Sequence, residues 1–137
     1  MKGSSQMAQE NQNVLVVDDN HDVRDLVVLF LSADGFHVFS ASDGEEALAI
    51  LKSNPIDLVL LDVMMPGKSG IQVLSEIRTH SNKSVREIPV MMITAKSSTE
   101  DIDEALAAGA NSYVIKPFRA TTIREKVRSI LNIHATI

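Results

Sequence analysis

From Asn13 onward the chain alternates between short apolar runs and segments whose apolar residues return at helical spacing. The runs are Val14-Leu15-Val16-Val17, His37-Val38-Phe39, Leu58-Val59-Leu60-Leu61, Val90-Met91-Met92-Ile93 and Tyr113-Val114-Ile115. Continuous apolar runs, unlike alternating ones, mark strands covered on both faces, so a parallel sheet with helices on each side is predicted.

Between the runs, Val23, Leu26, Val27, Phe30 and Leu31 give a first helix an inward stripe that ends at Asp34-Gly35. A second helix starts at Asp43-Gly44, carries Ala47, Leu48 and Leu51, and stops at Asn54-Pro55, because the residue before proline is pushed out of the helical region. A third runs from Gly70 with Ile71, Leu74 and Ile77, and a fourth covers Thr99 to Ala108, closed by Gly109. The fifth spans about Thr122 to Leu131 with Ile123, Val127, Ile130 and Leu131 inward.

Five such units predict a single doubly wound α/β domain, a flavodoxin-like parallel sheet of order 2-1-3-4-5 with five helices. An eight-stranded α/β barrel needs roughly 250 residues, against 137 here. Residues 1–12 lack periodicity and are expected to be a disordered tail, with Met7 a candidate natural start behind an added leader. The domain is expected over 13–133 and a short C-terminal tail over 134–137, which leaves no room for an ordinary output domain in this length.

Composition narrows the function classes. With 45% hydrophobic and 23% charged residues the chain is a soluble globular type, and no apolar run approaches the roughly 20 residues of a membrane span. The polar start lacks the apolar stretch of a secretory signal, so a cytoplasmic location without membrane contact is expected. The absence of cysteine excludes disulfides, thiolate metal sites and cysteine nucleophiles, and the four histidines lack zinc-site spacing, so any metal would be held by oxygen.

The net charge of −5 is uneven: −7 over residues 1–70 and +2 over 71–137. That balance argues against direct nucleic-acid binding, and Arg119, Arg124, Lys126 and Arg128 read as a solvated helix face. Met64, Met65, Met91 and Met92 read as core packing.

In open α/β sheets the site lies beyond the carboxyl ends of the strands, where this chain has Asp18-Asp19, Asp62, Thr94 and Lys116. With strands one and three adjacent, the three aspartates meet and repel unless protonated or bridged by a hard cation, so a divalent-metal pocket is predicted. An ammonium and a hydroxyl converging on it suit a phosphoryl group, and an aspartate can receive that group as an acyl phosphate. Asp62 is the candidate nucleophile, Asp18 and Asp19 the better-placed metal holders.

Other readings fare worse. Gly67-Lys68-Ser69 lacks the glycine that a P-loop needs five residues earlier, where Asp62 stands. A flavin or dinucleotide site wants a phosphate-cradling loop after strand one, not Asp18-Asp19-Asn20. An aspartate-nucleophile phosphatase would carry a large cap segment, and none is present.

The segments VLVVDDN at 14–20, LVLLDVMMPGKSG at 58–70, MMITA at 91–95 and YVIKPF at 113–118, in this order at matching strand ends, resemble a response-regulator receiver domain of the single-domain chemotaxis type. The resemblance implies that Asp62 is the phospho-acceptor in a two-component phosphorelay. It implies Mg²⁺, or Mn²⁺, ligated by Asp19, Asp62 and the Met64 main-chain carbonyl, with Asp18 acting mainly through water. Lys116, the Thr94 hydroxyl and the main-chain amides after Asp62 and Thr94, the latter that of Ala95, would hold the phosphoryl oxygens.

By the same resemblance Lys116-Pro117 is a cis peptide, Thr94 and Tyr113 form a switch, and Met64 and Lys96 tune hydrolysis of the phosphate. The donor would be a histidine kinase or histidine phosphotransfer protein, with donor specificity expected on the first helix and the loop after the fifth strand. The output would be a protein target met through the fourth helix, fifth strand and fifth helix, from a monomer or a phosphorylation-dependent dimer. Such a protein is a signalling phospho-acceptor rather than an enzyme. A phosphorylation-independent receiver-like interaction module is the alternative within the fold.

Overall fold

The computed structural model describes residues 12–135. Five strands, β1 (Asn13–Val17), β2 (His37–Ala41), β3 (Leu58–Leu61), β4 (Val90–Thr94) and β5 (Ser112–Ile115), form one parallel sheet of order β2-β1-β3-β4-β5. Five helices of two turns or more connect and follow them: α1 (His21–Ala33), α2 (Gly44–Ser53), α3 (Gly70–Arg78), α4 (Thr99–Ala107) and α5 (Ala120–Ala135).

The expected sheet order is observed, and the helix count is corrected from five to six. A single helical turn, Lys83–Arg86, stands between α3 and β4, capped by the Asn82 side chain. It carries one buried apolar residue, Val85, and four residues are too short to show a periodicity. The fifth helix is also longer than predicted, running from Ala120 to Ala135.

Side chains alternate across the strands and define two cores. Leu15, Val17, Val59, Leu61, Val90 and Met92 pack with Ala47 and Leu51 of α2, Val73, Leu74 and Ile77 of α3, and Ala105 of α4. On the other face Val14, Val16, Leu58, Leu60, Met91, Ile93 and Val114 meet Val27 and Leu31 of α1 and Ile123, Val127 and Leu131 of α5. The central strands β1, β3 and β4 are almost wholly buried, whereas the edge strands β2 and β5 expose residues, His37 and Ile115 among them.

Leu26 departs from the expected inward stripe and is 52% exposed, because burial on α1 centres on the row Val23, Val27, Leu31 and Leu26 lies a quarter-turn away. Of the methionines read as core, Met91 and Met92 are fully buried but Met64 is not. Of the basic residues read as solvated, Arg124 and Arg128 both reach the buried carboxylate of Asp34 at the end of α1, at 2.9 and 3.0 Å. An anion there opposes the partial negative charge of the helix end, and the two guanidiniums offset it.

Helix starts follow local chemistry. Asn20 accepts from the amides of Asp22 and Val23, Asp43 from that of Glu46, and Ser98 from that of Asp101. Ser69 forms a reciprocal capping box with Gln72, which is the role of the Gly67-Lys68-Ser69 segment. Lys68 beside it reaches Glu45 of α2 and Glu76 of α3.

Candidate functional site

The sheet delivers the acidic residues to one place by register. Val17 pairs with Leu61, and the ladder continues one residue further, Asp62 N–H donating to Val17 O (3.0 Å) and Asp18 N–H to Ala41 O (3.2 Å). Asp18 and Asp62 therefore leave β1 and β3 side by side. Beyond β4 and β5, Lys116 N–H donates to Thr94 O (2.8 Å), which brings the lysine to the same end.

Asp18, Asp62 and Thr94 are the buried polar residues among the described residues, and all three sit at this carboxyl end. Carboxylate oxygens of Asp18, Asp19 and Asp62 lie within 4.8 Å of one another, Asp19 from an exposed position. Lys116 Nζ bridges the two buried acids, 2.8 Å from Asp18 Oδ2 and 3.0 Å from Asp62 Oδ2.

The remaining oxygens are held by the backbone. Asp62 Oδ1 accepts from Met64 N–H (3.1 Å), and Asp18 Oδ1 from Asn20 N–H (2.9 Å). Burial pushes the Asp62 carboxyl above its ordinary value, against the opposing pull of the Met64 amide and the Lys116 ammonium, and the Asp18 carboxylate adds to the rise. For Lys116, desolvation pulls the ammonium down, but its bonds to Asp18 and Asp62 outweigh that and raise it overall.

Three carboxylates served by one ammonium leave an excess of negative charge that a hard dication would neutralise, and an all-oxygen donor set suits Mg²⁺ or Mn²⁺. The residues present thus fit such an ion.

The flanking residues are tied to this pocket. Thr94 Oγ1 accepts from Lys96 N–H (3.3 Å), and the Tyr113 hydroxyl donates to the Lys96 carbonyl (2.8 Å), so both residues expected to switch meet at the loop after β4. Burial, then the acids Asp101, Asp62 and Glu104, push the Tyr113 phenol up. The Lys96 ammonium turns away toward Asp101, at 3.8 Å. Ala95 follows Thr94 on the exposed rim, and the Lys116-Pro117 bond is cis.

The model of one known family, the response regulator receiver domain, matches residues 14–128. This chain belongs to the response regulator receiver domain family. The chemotaxis protein CheY-3 of Vibrio cholerae is 41% identical over 122 residues, 88% of this chain and 92% of that protein. The probable transcriptional regulator ycf27 of Porphyridium aerugineum is 38% identical over 122 residues, but the chain spans only about half of it, 49%. The solved structure of the chemotaxis protein CheY4 of Vibrio cholerae superposes with a TM-score of 0.82 at 32% identity, covering 87% of this receiver and 98% of that chain.

Several parts of the receiver site had no sequence signal. The second contact of Lys116, to Asp18, depends on strand order and reach, and Arg24 donating to the Asp18 carbonyl (2.8 Å) depends on how α1 crosses β1. Gly70 is packed on the Asp62 backbone, and its place in the run from Pro66 to Gly70 was the one available hint.

Proposed function

We propose that this receiver accepts a phosphoryl group on Asp62 from a histidine kinase or histidine phosphotransfer protein, in a two-component phosphorelay. The observation that carries the reading is Lys116 Nζ bridging Asp18 and Asp62 beside the third carboxylate of Asp19. In the transfer, an Asp62 oxygen forms the new O–P bond while the N–P bond of the donor phosphohistidine breaks, and the imidazole nitrogen keeps the electron pair.

Asp18, Asp19 and Asp62, with the Met64 main-chain carbonyl, would hold Mg²⁺ or Mn²⁺, which supplies charge neutralisation at the phosphoryl oxygens. Lys116 is placed to follow a phosphoryl oxygen once Asp62 is esterified, while Asp18 keeps the ammonium in position. The Thr94 hydroxyl and the Ala95 amide complete the phosphoryl contacts. The chain itself acts as a phospho-acceptor that assists its own modification, not as an enzyme with a separate product.

Movement of Thr94 toward the phosphoryl group would loosen its contact with Lys96 N–H and so alter the loop that Tyr113 grips, changing the face formed by α4, β5 and α5. That face, with Leu106 and Ile115 exposed, is the proposed contact for a downstream protein. A cytoplasmic location follows from this partnership, and among the described residues no helix is long and apolar enough to cross a membrane.

The test is intact-mass analysis after incubation with acetyl phosphate, with and without Mg²⁺, on the parent and the Asp62→Asn protein. A gain of one phosphoryl mass that requires both Mg²⁺ and Asp62 supports the reading. No gain from acetyl phosphate and none from a phosphorylated histidine donor would favour the phosphorylation-independent interaction module.

A further inference from the structure

The chain has no cysteine, so reversible two-electron sulfur oxidation is open only to its six methionines. Four of these lie in the described residues, and they differ sharply in access. Met91 and Met92 are fully buried in β4 and Met65 is 9% exposed, whereas Met64 is 55% exposed. The accessible one stands two residues after Asp62, with its amide hydrogen-bonded to Asp62 Oδ1, so its backbone is fixed against the acceptor.

The surroundings of Met64 give an oxidant a way in. Met64 lines an open cavity of about 670 Å³ together with Met65, Pro66, Ile71, Lys96 and Glu104, formed by the segment that directly follows Asp62 and the loop after β4. Lys96 is tied through its backbone to Thr94 and Tyr113, so a change of polarity in this cavity adjoins the loop after β4, while the Met64 amide adjoins Asp62.

We propose that Met64 is a redox-sensitive modification site through which a peroxide-class oxidant shortens the life of the phosphoryl group on Asp62. The proposal rests on the phospho-acceptor reading of Asp62 and assigns a regulation to that same site. In the oxidation the thioether sulfur attacks one peroxide oxygen, the O–O bond breaks, the S–O bond forms and the second oxygen leaves as water. Sulfur is oxidised and the peroxide reduced. A dithiol-dependent sulfoxide reductase reverses it, the dithiol becoming a disulfide and the oxygen leaving as water.

The effect on the acyl phosphate follows from the change in the side chain. The thioether is a weak acceptor that gives an attacking water little hold, whereas the sulfoxide oxygen is polar and accepts hydrogen bonds. Carried by the residue whose amide is bonded to Asp62 Oδ1, it orders water where the parent side chain is apolar.

The experiment treats the full chain with hydrogen peroxide, maps oxidation by peptide mass, then follows loss of phosphate after loading with acetyl phosphate and Mg²⁺. Met64 is expected to gain one oxygen at peroxide levels that leave Met65, Met91 and Met92 unmodified. The phosphate lifetime then falls at least about threefold, the size of one modest hydrogen bond to the attacking water. Sulfoxide reductase restores it.

A Met64→Leu protein, whatever its own lifetime, keeps that lifetime through peroxide treatment, which sets aside Met1 and Met7 as the cause. Equal lifetimes for oxidised and reduced parent, or an equal response in Met64→Leu, overturn the redox proposal alone. Failure of the untreated parent to take up phosphate from acetyl phosphate or from a phosphorylated histidine donor removes the phospho-acceptor reading, and this proposal with it.

Discussion

Gly70 and Asp62 are pressed backbone to backbone: a methyl group at position 70 would stand 2.1 Å from the Asp62 carbonyl oxygen and 2.7 Å from Val63 Cα. Gly70 N–H also donates to Val63 O at 2.9 Å. The first residue of α3 thus buttresses the strand end that carries Asp62, and neither partner is a flexible side chain that can move aside.

Gly70→Ala is therefore expected to lose about 2–3 kcal/mol of stability, the range for overpacking against a rigid neighbour. Gly67 provides the contrast, since nothing lies within 4 Å of a Cβ there and only its φ of +75° resists substitution. Gly67→Ala is expected to cost about 1 kcal/mol, from conformation alone. Equilibrium urea unfolding of the two variants checks both numbers, and phosphate uptake should suffer in Gly70→Ala only.

The raised pKa of Asp62 makes stability depend on pH in a definite direction. Burial is its largest cause, so the native state disfavours the ionised form, and the stability this carboxyl lends is lost as the pH rises from 3.8 through the raised value. Below the ordinary value of 3.8 the carboxyl is neutral in both states and none of it is lost. Asp62→Asn should melt higher than the parent at pH 7 in metal-free buffer, with the gap closing as the pH falls toward 3.8. Lys116 keeps its bond to Asp18 in the variant, so no ammonium is orphaned. Calorimetric melts from pH 3.5 to pH 7 would refute this if the gap stayed constant or the parent melted higher at neutral pH.

The strands themselves and the acidic end were legible because both rest on local pattern. β1, β3 and β4 are continuous apolar runs with a polar residue just beyond each, and that is the signature of buried parallel strands leading to a site. Pairings across long sequence distance were not legible. Lys116 and Asp18 are 98 residues apart, and Arg124 and Asp34 are 90 apart, and nothing in either neighbourhood marks the partner. The exposure of Leu26 and Met64 was missed for a related reason, since hydropathy does not say which apolar side chains a neighbouring element covers.

Apolar Met64 beside the proposed acceptor also bears on the unmodified protein. A side chain without a strong donor or acceptor gives an attacking water no anchor, so the acyl phosphate should persist longer than with an amide there. Met64→Asn is expected to lose phosphate at least about threefold faster, a single added hydrogen bond in the transition state being sufficient. Phosphate release after removal of acetyl phosphate measures it directly, and equal or faster loss from the parent would sink the idea.

Arg78, at the end of α3, ties together two separate backbone segments, 86–88 and 109, and the Asn111 side chain. Its Nη1 donates to Ile88 O (2.6 Å) and Arg86 O (3.0 Å), its Nε and Nη2 to Gly109 O (3.1 and 2.8 Å), and Nη2 also to Asn111 Oδ1 (2.9 Å). All these acceptors are neutral oxygens, and burial pulls the guanidinium pKa down. The five-donor fork is what lets one side chain satisfy the turn before β4 and the turn after α4 together. Truncation would leave part-buried carbonyls unmet, so Arg78→Ala is expected to cost about 3 kcal/mol. Arg78→Lys keeps the charge but not the fork and should recover less than half of that loss. Urea unfolding separates the two, while hydrogen exchange at Asn111 N–H, which donates to Val90 O, should speed up first if the guanidinium pins the start of β5. A lysine variant as stable as the parent would mean that the charge alone suffices and the fork geometry is incidental.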